Sequence, residues 1–198
     1  MPNLIHLPGV AGADEAGRGP LAGPLVVAAV VLPEGFDTKG LDDSKKLTPE
    51  KRERQARRIK HDAVWCLEVV GVEEIERRNI LRASLNAMAR VLELLCPTRS
   101  LVDGNQLPPT KLNVEAVVKG DGKFACIAAA SILAKTERDR IMCEYAGEYP
   151  NYGFEVNFGY GTPEHLAAIR EHGPCAIHRR TFSPIADILN QPCLTFDD

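Results

Sequence analysis

Asp14 and Glu15 stand side by side in Gly12-Ala13-Asp14-Glu15-Ala16-Gly17-Arg18-Gly19-Pro20, beside three glycines and an arginine. Paired carboxylates offer hard oxygen ligands to Mg²⁺ or Mn²⁺, and glycines let a backbone approach a phosphate or a sugar. Two more acids occupy comparable settings. Asp103 follows Leu101-Val102 and precedes Gly104-Asn105, and Asp121 sits in Lys119-Gly120-Asp121-Gly122. Each has an ordinary alternative. Asp14 and Glu15 could be one site acid beside a solvated one, Asp103 a turn residue, and Asp121 the N-cap of the helix that follows. Jointly, four acids at the ends of elements suit hard, oxygen-seeking cations. Two such ions ~3.5–4 Å apart activate a water and stabilise the leaving oxygen in phosphodiester cleavage. A metal-dependent nuclease is the leading reading.

The elements that must hold these acids are legible in outline. Val10–Glu15 and the apolar run Leu25–Leu32 flank a Gly/Pro-rich connection and predict a hairpin. Ala63–Val72 is rich in β-formers and predicts a third strand, and Leu101-Val102 a short buried strand ending at Asp103. Thr48-Pro49-Glu50 is a helix start, with the helix running to about Lys60. Apolar residues at helical spacing predict helices over Val72–Leu95 and Lys123–Tyr145, and Pro163–Glu171 predicts a short one before Gly173-Pro174. On a strand Asp14 and Glu15 would point to opposite faces. Both could reach one metal site only where the strand ends or kinks. The order of elements predicts an α/β or α+β domain with an antiparallel start to a mixed sheet.

Composition sets the bounds. The chain has 198 residues, of which 44% are hydrophobic and 26% charged, enough for one domain with a real core. No apolar stretch reaches a membrane-spanning length, and Met1–Val10 lacks the charged-then-apolar order of a signal peptide. The six cysteines form no C-x-x-C pair, so reduced, mostly buried thiols in a cytoplasmic protein are expected rather than zinc ligands or disulfides. The net charge is −3, from 24 Lys and Arg against 27 Asp and Glu. Without the four candidate carboxylates the acids number 23, so the overall charge does not exclude a nucleic-acid substrate. The glycine loop lacks the G-x-x-x-x-G-K-[ST] spacing of a nucleotide-binding P-loop.

Five motifs in order carry a resemblance. They are Gly12–Pro20, Asp43-Ser44-Lys45-Lys46-Leu47, Val102–Asn105, Lys119–Gly122 and Ala128-Ala129-Ala130-Ser131-Ile132-Leu133-Ala134-Lys135. Together they closely resemble bacterial ribonuclease HII, the type 2 ribonuclease H, over about Val10 to Ile185. The resemblance implies an α/β ribonuclease H-like fold: a mixed five-stranded sheet flanked by helices. The core would span about 10–150, with a small C-terminal helical extension at about 151–190 and a flexible tail at 191–198. It implies hydrolysis of the RNA strand of RNA–DNA hybrids and cleavage 5′ to single ribonucleotides embedded in duplex DNA. Asp14, Glu15, Asp103 and Asp121 would be the catalytic carboxylates, holding Mn²⁺ or Mg²⁺, with two ions when substrate is bound. Gly17, Arg18 and Gly19 would read the 2′-OH, largely through backbone groups, and Tyr160 would pack on the neighbouring deoxyribose. Lys46, Asn79, Ser131 and Lys135 would hold phosphates. A cytoplasmic monomer acting in DNA replication and repair is expected.

Several features leave alternatives open. The basic run Lys51, Arg52, Arg54, Arg57, Arg58 and Lys60 is either a solvated helix face or a duplex contact. His178-Arg179-Arg180 could cap or pack as readily as bind substrate. Asn157-Phe158 stands where many family members have His-Lys, a departure bearing on substrate affinity rather than on chemistry. The tail Gln191-Pro192-Cys193-Leu194-Thr195-Phe196 resembles peptides that bind the bacterial sliding clamp. A non-catalytic hybrid binder, or another metal-dependent nuclease of the same superfold, are the competing readings. Four clustered acids facing phosphates argue against the first. A sugar-reading loop argues against the second.

Overall fold

A computed structural model describes residues 4–190. Its centre is a five-stranded sheet of order β3-β2-β1-β4-β5. The strands are β1 (Ala11–Ala16), β2 (Leu25–Val31), β3 (Val64–Val70), β4 (Ser100–Asp103) and β5 (Val114–Val117). β1 to β3 run antiparallel in sequence, with Asp14 opposite Ala28 and Glu15 opposite Val27. β4 joins β1 in parallel and β5 joins β4 in parallel. The sheet is therefore mixed, as expected. β5 has no counterpart in the residue-by-residue reading, because Val-Glu-Ala-Val is too short to show alternation.

Seven helices complete the described chain: α1 (Pro49–Asp62), α2 (Val72–Arg78), α3 (Ile80–Leu95), α4 (Ala125–Glu148), α5 (Phe154–Asn157), α6 (Pro163–His172) and α7 (Ile185–Leu189). The α1 start is as predicted, with the Thr48 hydroxyl accepting from the Lys51 N–H at 3.4 Å. The helix expected over Val72–Leu95 is two helices. Asn79 breaks it with φ 64°, ψ 157°, and its side chain caps α3 by accepting from the Arg82 N–H at 3.0 Å. Apolar spacing continues through the break, so periodicity alone cannot show it.

Each sheet face has its own core. On one face Val26, Ala28 and Val30 pack against the alanine-rich start of α4 and against Ala56 and Ile59 of α1. On the other, Ala11, Ala13, Leu25, Val27 and Ala29 meet Ala83, Ala87, Met88, Val91 and Leu92 of α3. Gly12 lies on the α4 side, where an added Cβ would stand 2.2 Å from the Cys126 carbonyl carbon. β1 and α4 thus touch backbone to backbone, which brings the start of α4 beside Asp14. A third cluster, with Tyr152, Phe154, Ile169, Ile177 and Ile185, ties the segments after α4 to Leu21, Ala22 and Met142.

Candidate active site

The carboxyl ends of the parallel strands β1 and β4 open into a cavity of about 530 Å³, the edge where α/β sheets present ligands. Its walls carry Asp14, Glu15, Asp103 and Asp121, together with Gly17, Arg18, Gly19, Ser131, Lys135 and Tyr160. Ten of the twelve candidate residues therefore share one cavity. Strand alternation sends Asp14 toward Ser131 on α4 and Glu15 toward Ser84 on α3. The strand ends one residue later, so both carboxylates still face the opening. Asp103 closes β4 and accepts from the Gly120 N–H at 2.6 Å, which fixes the turn bearing Asp121 against the sheet. Asp121 lies in a short 3₁₀ turn, Gly120–Gly122, and α4 begins only at Ala125 with Phe124 as its cap residue. The N-cap alternative for Asp121 is thereby removed.

The electrostatics are those of crowded negative charge that Arg18 offsets only in part. Burial raises Asp14 well above the usual carboxylate range, and the charges of Glu15 and Asp103 add to the effect. Glu15 is raised by burial against the pull of Arg18, whose guanidinium lies 3.2 Å away. Asp121 is raised by burial and then by Asp43 and Asp103. An all-oxygen donor set whose members repel one another fits hard divalent cations. Among the described residues no three of these acids converge into a finished metal cage.

Two candidates stand apart. Lys46 lines an adjoining groove with Asp43, Lys119 and Lys123, and lies 3.4 Å from Asp42. Lys45 faces the cavity itself, as do Ser44 and Ile80, none of which was singled out from sequence. Side-chain direction in a loop has no period, so the motif alone does not choose between adjacent lysines. Asn79 does not line the cavity and its carbonyl oxygen is spent on the α3 cap. Lys135 faces the cavity but is held at 2.6 Å by Asp139, which also binds Arg52 at 2.6 Å. Burial lowers the Lys135 ammonium from its ordinary value, and Asp139 counters it. The same ammonium stands 5.0 Å from the Phe158 ring centre and 5.9 Å from that of Tyr160. The Asn157-Phe158 pair thus has structural work: Asn157 donates to the Tyr152 carbonyl at 2.6 Å, and Phe158 floors Lys135.

The family model for Ribonuclease HII matches residues 11–185. The chain belongs to the ribonuclease HII family. A ribonuclease HII of a Polaromonas species is 53% identical over 183 residues, covering 91% of this chain and 92% of its own. The ribonuclease HII of Archaeoglobus fulgidus, solved in a complex with PCNA, superposes with a TM-score of 0.77 at 28% identity, over 96% of this chain and 98% of that one. A Bst ribonuclease HIII solved with Mn²⁺ has a TM-score of 0.73 at 20% identity, over 92% and 70% of the two chains, and so shares the fold. The expected ribonuclease H-like architecture is the observed one. Ribonuclease HII is an endoribonuclease that hydrolyses RNA in RNA–DNA hybrids, with dependence on a divalent metal. No described helix is long and apolar enough to cross a membrane.

Proposed function

We propose that this ribonuclease HII cuts 5′ to single ribonucleotides in duplex DNA, as well as within RNA–DNA hybrids, leaving a 3′-OH and a 5′-phosphate. The supporting observation is that one cavity carries both four carboxylates and the Gly17–Gly19 backbone. Asp14, Glu15, Asp103 and Asp121 are the proposed holders of two Mn²⁺ or Mg²⁺ ions. Bound there, the ions would supply charge neutralisation and an activated water. The acids line an open cavity, which leaves room beside them for a phosphate of the substrate. Gly17, Arg18 and Gly19 read the 2′-OH, the group that separates RNA from DNA. Tyr160, braced by Lys135 and Arg138, packs on the next deoxyribose, where a 2′-OH would clash. Ser131, Lys135 and Lys45, which line the cavity, and Lys46, in the adjoining groove, would hold phosphates, and the Asn79 amide group would hold one at the α3 start. The reading fits a cytoplasmic monomer that removes ribonucleotides and RNA primers, with residues 151–190 as an extension of the core.

A labelled duplex with one ribonucleotide tests this. Cleavage on its 5′ side is expected with Mn²⁺ or Mg²⁺, and an all-DNA duplex should stay intact. An uncut ribonucleotide duplex, or cutting of the DNA control, would overturn the assignment.

The tail Gln191–Phe196 lies outside the described residues. We infer from its Gln-x-x-Leu-x-Phe pattern that it docks on a sliding clamp, and the Archaeoglobus fulgidus relative is known in complex with such a clamp. A peptide of residues 187–198 should bind the bacterial clamp in fluorescence polarisation, with loss on replacing Leu194 and Phe196 by Ala. No binding at high micromolar peptide would sink the idea.

A further inference from the structure

His178 and Arg179 lie outside the cavity yet are bonded to two of its walls. Arg179 is fully buried, and among the described residues it has no carboxylate partner. Its guanidinium donates instead to the carbonyls of Gly17 at 2.6 Å, Arg18 at 3.2 Å, Pro20 at 2.9 Å, Gly23 at 2.9 Å and Pro24 at 3.2 Å. Arg138 of α4 adds bonds to Ala22 and Pro24 and reaches the Phe158 carbonyl at 2.9 Å. The C=O and N–H of a trans peptide point in opposite directions. Drawing the Gly17 and Arg18 carbonyls onto Arg179 therefore turns the Arg18 and Gly19 N–H groups the other way. Among the described residues neither N–H has a protein acceptor. They are left available to a ligand. Gly17 is required for this geometry: its φ is +105°, and a Cβ would stand 2.3 Å from Arg138 Nε.

The second wall is set by a chain of rings. The Cys175 N–H donates to His178 Nδ1 at 2.9 Å. A backbone N–H can only donate, so the neutral His178 ring carries its proton on Nε2. That proton is given to His165 Nε2 at 3.1 Å, which leaves His165 protonated on Nδ1 and donating to the Tyr160 carbonyl at 2.8 Å. One tautomer of each ring satisfies all three bonds. Burial keeps both imidazoles neutral, with His178 pushed down to about 4 by burial and then by His165.

We propose that His178 and Arg179 are positioning residues for ribonucleotide discrimination: Arg179 orients the Gly17–Gly19 backbone, and His178 fixes Tyr160 through His165. The inference rests on the reading of Gly17–Gly19 and Tyr160 as the sugar-facing groups. The readout is the ratio of kcat/KM on a single-ribonucleotide duplex to kcat/KM on a uniform hybrid, alongside circular dichroism and melting. His165→Phe keeps the ring volume and removes both bonds, and should lower the ratio about tenfold. His165→Asn retains a donor near the Nδ1 position and should restore most of the ratio. Arg179→Lys should lower the ratio as well, and a folded Arg179→Lys with an unchanged ratio overturns the Arg179 assignment, while the His165 pair tests the His178 assignment. A folded His165→Phe with an unchanged ratio, or with equal losses on both substrates, overturns the proposal. Tyr160→Ala separates the two levels. If it leaves the ratio unchanged, the sugar-facing assignment of Tyr160 falls and this inference with it. If it collapses the ratio while His165→Phe does not, only this inference falls.

Discussion

Asp14→Asn is expected to lower cleavage of a hybrid about 1,000-fold or more while hybrid affinity stays within a few-fold. A charge-stabilising metal contributes several kcal/mol to a phosphoryl transition state, and about 1.4 kcal/mol corresponds to a tenfold change in rate. Asp14 is the best placed of the four acids to control such a contribution. It lies at the end of β1, is only 5% exposed, and is pressed by the charges of Glu15 and Asp103. Asparagine keeps the shape and removes the charge. On the proposed reading substrate affinity comes chiefly from basic and backbone groups around the cavity, which the change leaves in place. The same substitution relieves a buried, repelled carboxylate, so the metal-free variant should melt higher than metal-free wild type. The raised pKa gives the sign: folding disfavours the charged form of Asp14, a cost that grows as the pH rises above its unfolded-state value. Single-turnover cleavage, hybrid binding and a thermal melt measured together check all three. Wild-type cleavage by the variant would remove Asp14 from the site. Loss of activity with a lowered melting temperature would make it a folding residue instead.

What could be read from sequence divides by the range of the interaction. β2 and β3 announce themselves through Val-rich runs, β1 through the glycine-rich turn that follows it, and the α1 cap through Thr48-Pro49, because each signal is local. The four acids stand out for the same reason, lying at element ends beside turn-forming residues. β5 is too short to carry a pattern, and its place beside β4 depends on pairing. The break at Asn79 is a single backbone conformation inside continuous helical spacing. Lys45 and Lys46 differ only in direction, which the chain shows once the Asp43–Leu47 turn is formed. Arg179 is the extreme case. Its carbonyl partners precede it by more than 150 residues, and carbonyls are the same at every position, so no residue type marks them in advance.

Exhaustive chelation should abolish cleavage and leave the fold intact. The two core clusters lie on the sheet faces, whereas the candidate ligands sit at the strand ends and on one turn. Removing an ion from that edge takes nothing from the packing of α3 and α4. Restoring Mn²⁺ should recover activity and also raise the melting temperature. Asp14, Glu15, Asp103 and Asp121 come from three separate parts of the chain and share one cavity only when it is folded, so an ion held by them would bind the folded state in preference to the unfolded one. By mass action, free metal at a hundred times its dissociation constant stabilises the fold by about 2.7 kcal/mol. Asp14→Asn should lose most of that shift, since it removes the buried charge the cation would neutralise. Cleavage that survives chelation would exclude metal from the reaction. A chelated protein that unfolds would make the ion a structural one. A melting temperature that Mn²⁺ raises equally in wild type and Asp14→Asn would place its binding away from these carboxylates.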